Sequence, residues 1–124
     1  MNEMIDYLKK EASEWPGATT VAYRESWDCD YFQVAQKGFC LLGKNKANQR
    51  VMTVKGRPEI NEQLKEQYAF IVPGYYSNKT HWISVILEES DLSVTELIHL
   101  LQTSYQLVFE QLPKKTQAAI LDLA

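Results

Sequence analysis

The stretch that decides the fold is Pro73-Gly74-Tyr75-Tyr76-Ser77-Asn78-Lys79-Thr80-His81-Trp82-Ile83-Ser84-Val85. Its first part has the composition of a turn, because proline presets φ and both glycine and asparagine tolerate a positive φ. The apolar and β-branched residues after it predict a short buried strand at 82–87. The sequence thus predicts a loop rich in polar and aromatic side chains on a rigid strand, a common way of building a functional site.

The remaining elements follow from periodicity and turn residues. Apolar residues spaced three and four apart predict helices at 2–14, 59–67, 94–112 and 114–122, with Ile60 and Leu64 as the main apolar contacts of the second. The third begins at a capping box, Ser93-Val94-Thr95-Glu96, and ends at Pro113. Strands are expected at about 19–23, 31–36, 39–44, 50–54 and 68–72. Because hairpins link most strands, we expect an α+β two-layer sandwich, an antiparallel sheet with helices packed on one face.

Lys37-Gly38 predicts the turn of the hairpin formed by 31–36 and 39–44. In that register Phe32 and Val34 share a face with Phe39 and Leu41. Cys40 then lies opposite Ala35.

The two cysteines are expected to be structural. The predicted register keeps Cys29 away from Cys40, so we expect no disulfide between them. Together with only His81 and His99, they make a poor metal-ligand set. We therefore expect neither a metal nor a cofactor.

Length and hydropathy set broad limits. A chain of 124 residues fits one domain spanning 1–124. No apolar run approaches the roughly 18 residues of a membrane helix, so no membrane partner is expected. The start, Met1-Asn2-Glu3-Met4, lacks the basic and apolar regions of a signal peptide, which predicts a cytoplasmic protein.

Charge is unevenly distributed. The net charge is −3, yet the stretch 31–58 contains no acid. Its basic residues are Lys37, Lys44, Lys46, Arg50, Lys55 and Arg57. Strands of about six residues would separate them into two groups roughly 20 Å apart, with Lys55 and Arg57 near Lys37. Such patches could contact phosphates, or they could simply be solvated turns.

The loop before the predicted strand is a second candidate site. Its side chains are Tyr75, Tyr76, Asn78, Lys79 and His81, followed by Trp82. An aromatic ring here could stack a base, with Lys79 on a phosphate and Asn78 or His81 donating hydrogen bonds. Alternatively, Tyr75 and Trp82 belong to the core and the loop is structural. Tyr105, on the buried face of the long helix, needs a partner for its hydroxyl, which this loop could supply. Ser104 beside it is expected to be structural, either allowing close packing or bonding back to the preceding turn.

Several of these segments resemble the MmcQ/YjbR family. The resemblance rests on 73–82, on Ser104-Tyr105-Gln106-Leu107-Val108 with Leu112-Pro113-Lys114-Lys115, on Pro16-Gly17-Ala18, and on Val54-Lys55 with Pro58-Glu59. One departure is that Tyr76 and Ser77 stand where family members often have His and Met. The resemblance implies a CyaY-like, or frataxin-like, fold and a DNA-binding protein with a double-wing arrangement of β-hairpins.

Residues and resemblance together predict a non-enzymatic DNA-binding domain, monomeric or weakly dimeric, that uses the basic turns, Lys79 and the 75–81 loop. One alternative is a small-molecule pocket between that loop and the long helix, lined by Tyr75, Tyr76, His81 and Tyr105. Another is a protein-interaction module using Trp27, Tyr31 and the acidic 25–30 loop.

Overall fold

The computed structural model describes residues 1–23, 29–74 and 78–123, with side chains for all of them except 21–23. The predictions for Tyr75, Tyr76 and Trp27 therefore lie outside the described residues. The elements are α1 (Asn2–Ser13), β1 (Ala18–Tyr23), β2 (Cys29–Val34), β3 (Lys37–Lys44), β4 (Arg50–Lys55), α2 (Pro58–Gln67), β5 (Ile71–Pro73), β6 (Trp82–Ile86), a single 3₁₀ turn (Leu87–Glu89), α3 (Val94–Glu110) and α4 (Lys114–Leu123).

The strands form one six-stranded sheet in the order β1-β2-β3-β4-β6-β5. All five neighbouring pairs are antiparallel. Helix α3 packs across β3 and β4, α1 packs beside α3 and β1, and α2 packs against β5 and β6. The predicted α+β fold, an antiparallel sheet covered by helices, is confirmed. Within the described residues, no helix is long and apolar enough to cross a membrane.

The core lies between the sheet and the pair α1 and α3. Alternate strand residues, which point to one face of a sheet, meet apolar residues of the two helices. The fully buried side chains include Phe32, Met52, Val54, Ile83 and Val85 from the strands and Leu8, Leu97 and Leu101 from the helices. Each such side chain contributes roughly 1.5–3 kcal/mol. Helix α3 begins as predicted, since Ser93 and Glu96 form a reciprocal capping box in which both hydrogen bonds measure 3.1 Å.

The predicted hairpin turn is wrong by two residues. The turn residues are Ala35 and Gln36, with φ of 49° and 67°, and Val34 pairs with Lys37. Positive φ at both positions is the signature of a type I′ turn. Gly38 serves another purpose: a Cβ on it would lie 1.9 Å from the Tyr31 hydroxyl, so glycine makes room for that ring.

The change of turn also changes the register. Cys40 lies opposite Phe32 and not Ala35, and the pairing shifts between Phe32 and Gln33. Phe39 still shares the core face with Phe32, since the two rings meet edge to face at 5.9 Å. Leu41 does not, because it pairs with Tyr31 on the opposite face of the sheet.

The predicted strand at 68–72 begins too early. The backbone N–H of Tyr68 still donates to the carbonyl of Leu64 at 2.9 Å, which closes α2. Strand β5 therefore starts at Ile71. The prediction that Ile60 is a main contact of α2 is also wrong, because that side chain is 45% exposed while Asn61 beside it is fully buried.

Candidate functional site

The predicted basic residues lie at two ends of the sheet. Lys55 pairs with Trp82, and the N–H of Gly56 donates to the carbonyl of His81 at 2.9 Å. Strand register places the β2–β3 turn beside them, because Cys40 pairs with Val54. We call the segments 35–37, 55–57 and 78–82 the hairpin end. The β3–β4 turn, 44–50, with the start of α1 and the 3₁₀ turn, is the opposite end.

A buried asparagine holds the hairpin end together. The Nδ2 of Asn61, a fully buried residue, donates to the carbonyls of Gly56 and Thr80, both at 3.1 Å. These two bonds tie the β4–α2 connection to the loop that enters β6. A Cβ on Gly56 would lie 2.2 Å from the Asn61 Oδ1, so only glycine allows this approach. The sequence did not predict the structural role of Asn61. The signal that could have indicated it is a polar residue on the face of α2 that packs against the sheet.

The loop 78–81 is shaped by its own asparagine. The Oδ1 of Asn78 accepts from the N–H of Thr80 at 2.8 Å and of His81 at 3.2 Å. The carbonyl of Asn78 accepts from the N–H of Trp82 at 3.0 Å. This is the turn chemistry expected of asparagine, and it leaves Lys79 and His81 exposed at the surface. Asn78 therefore shapes the loop, while Lys79 and His81 are presented by it.

Ser104 of α3 fastens the helix to the sheet at the hairpin end. Its buried hydroxyl donates to the carbonyl of Phe39 at 2.5 Å and accepts from the N–H of Lys55 at 2.8 Å. The serine thus inserts between β3 and β4 just beyond their last pair, Cys40 and Val54. The sequence predicted a structural role for Ser104, through close packing or a bond back to the preceding turn. Its role in the structure is a bridge between two strands.

Tyr105 is separate from the 78–81 loop. Its hydroxyl donates to the carbonyl of Pro16 at 2.6 Å, so the partner suggested by the sequence is wrong. Burial raises the pKa of Tyr105 above its ordinary value. The ring packs between Trp15 and Phe109, with centroid distances of 5.4 Å and 5.8 Å. Tyr105 therefore belongs to an aromatic cluster at the helix layer.

The cations of the hairpin end are largely available. Lys37, Arg57 and Lys79 are exposed, and their side chains make no ion pair or hydrogen bond with any residue that the structure describes. Lys55 is held by Gln111, whose Oε1 accepts from its Nζ at 2.9 Å. Arg57 is the residue immediately before α2, whose N-terminus has no side-chain cap and carries positive partial charge.

The opposite end mixes acids with its cations. The Glu88 carboxylate accepts from the N–H of Arg50 at 2.7 Å, and that of Glu89 accepts from Gln49 at 2.6 Å. Lys9 forms an ion pair with Asp30 at 2.6 Å. A depression of about 350 Å³ here is lined by both signs of charge, from Asp6, Asp30, Lys9, Lys44 and Arg50 among others. The stretch 31–58 contains no acid in sequence, but the fold places carboxylates from other segments beside its basic residues.

Neither cysteine forms a disulfide. Burial raises the pKa of Cys40 well above its ordinary value, with smaller contributions from Cys29 and Asp30. A thiol held neutral in this way is a poor nucleophile and a poor metal ligand. No group of three potential metal ligands occurs among the residues that the structure describes.

Known proteins are similar to this chain in sequence and fold. A family model described as YjbR matches residues 13–107. An uncharacterised Escherichia coli K12 protein, YjbR, is 26% identical over 99% of this chain and 98% of its own. A second Escherichia coli protein, YbdF of strain O157:H7, also uncharacterised, is 32% identical over 73% of each chain.

Two solved structures are similar. A Deinococcus radiodurans protein with a DUF419 domain superposes with a TM-score of 0.82 at 24% identity, covering 94% of this chain and 86% of its own. A Pseudomonas syringae protein gives a TM-score of 0.71 at 27% identity over 86% of this chain and 96% of its own. The first likeness supports the fold alone.

Proposed function

The chain belongs to the YjbR family, and we propose that it is a binding protein, not an enzyme, that contacts the phosphate backbone of DNA with its hairpin end. The observation that carries the proposal is the set of exposed cations at this end. Lys37, Arg57 and Lys79 come from three separate connections and make no ion pair with the described residues. Lysine and arginine in such positions are the groups that neutralise phosphates.

Hairpin geometry supports the proposal. The β2–β3 turn and the connection from β5 to β6 both open at the hairpin end, with β4 between them. Their mid-lines are separated by three strand spacings, about 14 Å at the usual interval of roughly 4.8 Å. This separation is close to the roughly 12 Å width of the major groove of B-DNA. Two hairpins at this spacing are consistent with the double-wing arrangement that the family resemblance implies.

The fixed backbone of the hairpin end also supports DNA binding there. The buried Asn61 ties two of the three connections together, and Ser104 fixes the strands from which two of them emerge. Side chains on a preorganised backbone lose less entropy when they bind. The backbone of 55–57 and 78–81, which bears Arg57 and Lys79, is therefore preorganised for binding.

Three basic residues at the opposite end are not part of the proposed DNA interface. Lys44 and Arg50 lie beside Asp30, Glu88 and Glu89, and Lys46 lies on the same β3–β4 turn. These carboxylates repel a phosphate backbone and offset the cations beside them. We therefore narrow the interface to Lys37, Lys55, Arg57 and Lys79.

Two charge-matched triple variants test this choice. The first changes Lys37, Arg57 and Lys79 to Gln, and the second changes Lys44, Lys46 and Arg50 to Gln. Both variants lose three positive charges, so a difference in their DNA affinity reports which end of the sheet binds DNA. Fluorescence anisotropy of a labelled duplex at about 50 and 200 mM salt gives affinity and its salt dependence.

We expect the first variant to bind weakly, with the slope of log K against log salt reduced by about 2.7, or roughly 0.9 for each lost phosphate contact. The second should retain the slope of the unmodified protein. Equal losses in both variants would assign binding to net charge alone. Absence of binding by the unmodified protein at the lower salt would refute the proposal.

A further inference from the structure

The aromatic cluster around Tyr105 lines a cleft on the helix side of the molecule. The cleft has a volume of about 500 Å³, within the range of roughly 300–1,000 Å³ typical of ligand sites. Three segments line it: the turn after α1, the outer stripe of α3, and α4. The lining residues on which the argument rests are Trp15, Phe109, Gln102, Gln106 and Glu110.

From this geometry we propose that the cleft binds a free nucleoside, or a heteroaromatic molecule of the same kind, neutral or cationic, by stacking its ring on the aromatic cluster. The proposal does not depend on DNA binding at the hairpin end. Its first support is a pair of half-buried aromatic rings. Tyr105 is buried, stacks on Phe109 with 28° between ring planes, and lies tilted by 49° to Trp15. The half-buried rings of Trp15 and Phe109 therefore offer the surfaces on which a flat ligand can stack.

The second support is a set of amides at the rim. Gln102 and Gln106 lie one helical turn apart on α3, are exposed, and have side chains that bond to no residue the structure describes. Each offers both donors and an acceptor, which is what the edge of a nucleobase requires. The amide of Gln117 is not available, because its Nε2 donates to the carbonyls of Glu110 and Leu112 at 3.2 Å and 2.8 Å.

The third support is charge. The described lining contains one ionisable carboxylate, Glu110, and no lysine or arginine. Its charge disfavours a ligand that carries a phosphate and favours one that is neutral or cationic. The cleft should therefore discriminate a nucleoside from its own 5′-monophosphate, which is the reverse of the preference proposed for the hairpin end.

The walls of the cleft are fixed by packing. The Tyr105 hydroxyl holds the turn after α1 through Pro16, and the Gln117 bonds hold the start of α4 against the end of α3. Gly17 has φ of +72°, and a Cβ there would lie 2.9 Å from the Ile120 Cγ2 of α4. The turn after α1 and α4 thus meet closely at Gly17, where a residue with a side chain would also have to adopt a strained positive φ.

Isothermal titration calorimetry of the full chain with adenosine, guanosine, cytidine and uridine, each paired with its 5′-monophosphate, tests the inference. We expect saturable one-to-one binding of at least one nucleoside and weaker binding of its monophosphate. Gln106→Ala should lower the affinity for that nucleoside by about 3- to 10-fold, because its hydrogen bonds to the base are lost. Trp15→Leu should weaken it by about 10-fold or more through loss of stacking. Gln63→Ala, an exposed glutamine of α2, is the matched control and should change nothing.

Glu110→Gln provides an independent readout, because it removes the charge and keeps the shape. It should bring the affinity of the monophosphate close to that of the nucleoside. The hairpin-end triple variant should bind nucleosides normally, so failure of one proposal is distinguishable from failure of the other. Absence of binding by all four nucleosides, or binding that neither Gln106→Ala nor Trp15→Leu weakens, would overturn the inference. The same holds if the monophosphate binds as well as the nucleoside.

Discussion

The hairpin end and the opposite end of the sheet carry cations from one stretch of sequence, yet they have different surroundings. At the hairpin end, exposed cations stand on connections that a buried asparagine holds in place. At the opposite end, the cations lie beside carboxylates from α1, β2 and the 3₁₀ turn. A run of like charge in the sequence therefore forms a surface of like charge only where the fold places no opposite charges from distant segments beside it.

The largest expected effect concerns Asn61. Asn61→Ala removes the donor for two carbonyls and leaves a cavity, so we expect the free energy of unfolding to fall by about 2–4 kcal/mol. DNA affinity should fall with it, because the two connections are no longer tied. Chemical denaturation and anisotropy measure the two quantities.

The matched change at the opposite end is Asn45→Ala. The Oδ1 of Asn45 accepts from the N–H groups of Ala47 and Gln49 at 3.0 Å and 2.9 Å, but at a solvated turn. We expect a loss of only about 1 kcal/mol and unchanged DNA affinity. Equal effects of the two variants on binding would remove the distinction between the ends.

Ser104→Ala tests how the hairpin end is joined to α3. The change leaves the Phe39 carbonyl and the Lys55 N–H without their partner, which should cost about 1–3 kcal/mol. His99→Ala, an exposed change on the same helix, should stay within about 0.5 kcal/mol. Similar denaturation midpoints for the two variants would contradict the bridging role of Ser104.

Cys40 of β3, between the two ends of the sheet, predicts how folding stability depends on pH. Because its pKa is raised in the folded protein, the unfolded chain loses this proton first as pH rises above about 8.5. Folding stability should therefore be fully present below that pH and should decline above it, by up to about 1.4 kcal/mol per pH unit. Denaturation between about pH 8 and 9.5 should show the decline in the unmodified protein and a smaller one in Cys40→Ala. An identical pH dependence would contradict the assignment.

The smallest effect belongs to the ion pair between Lys9 and Asp30. Both side chains are partly exposed, at 35% and 23%. Lys9→Ala should cost less than about 1 kcal/mol, and the cost should shrink as salt is added. A large, salt-independent loss would show that the opposite end is a rigid structural site like the hairpin end.

Sequence reasoning predicted the elements well and their details less well. Periodicity located the long helix and its capping box, because these depend on local spacing. The hairpin register failed because Gly38 was interpreted as a turn residue, whereas it makes room for Tyr31 seven positions away. Such a contact leaves no local signal.

The candidate site was predicted in part. The separation of the cations into two ends followed from strand length, and the turn role of Asn78 followed from its side chain. The acids beside Arg50 could not be foreseen, because Glu88 and Glu89 lie almost forty positions further along the chain. Asn61 was missed because a single polar residue on a helix is more often at the surface. The structural role of Ser104 was predicted, but its partners Phe39 and Lys55 were not, because they lie 65 and 49 positions away in sequence.

The most direct test of the account is to map the contact residue by residue. Titration of the ¹⁵N-labelled protein with a short DNA duplex at about 50 mM salt would follow every backbone amide. The account predicts shift changes concentrated at 35–37, 55–57 and 78–81, with residues 44–50 unaffected. Changes concentrated at 44–50 would place the interface at the wrong end, and the absence of changes at either end would contradict DNA binding.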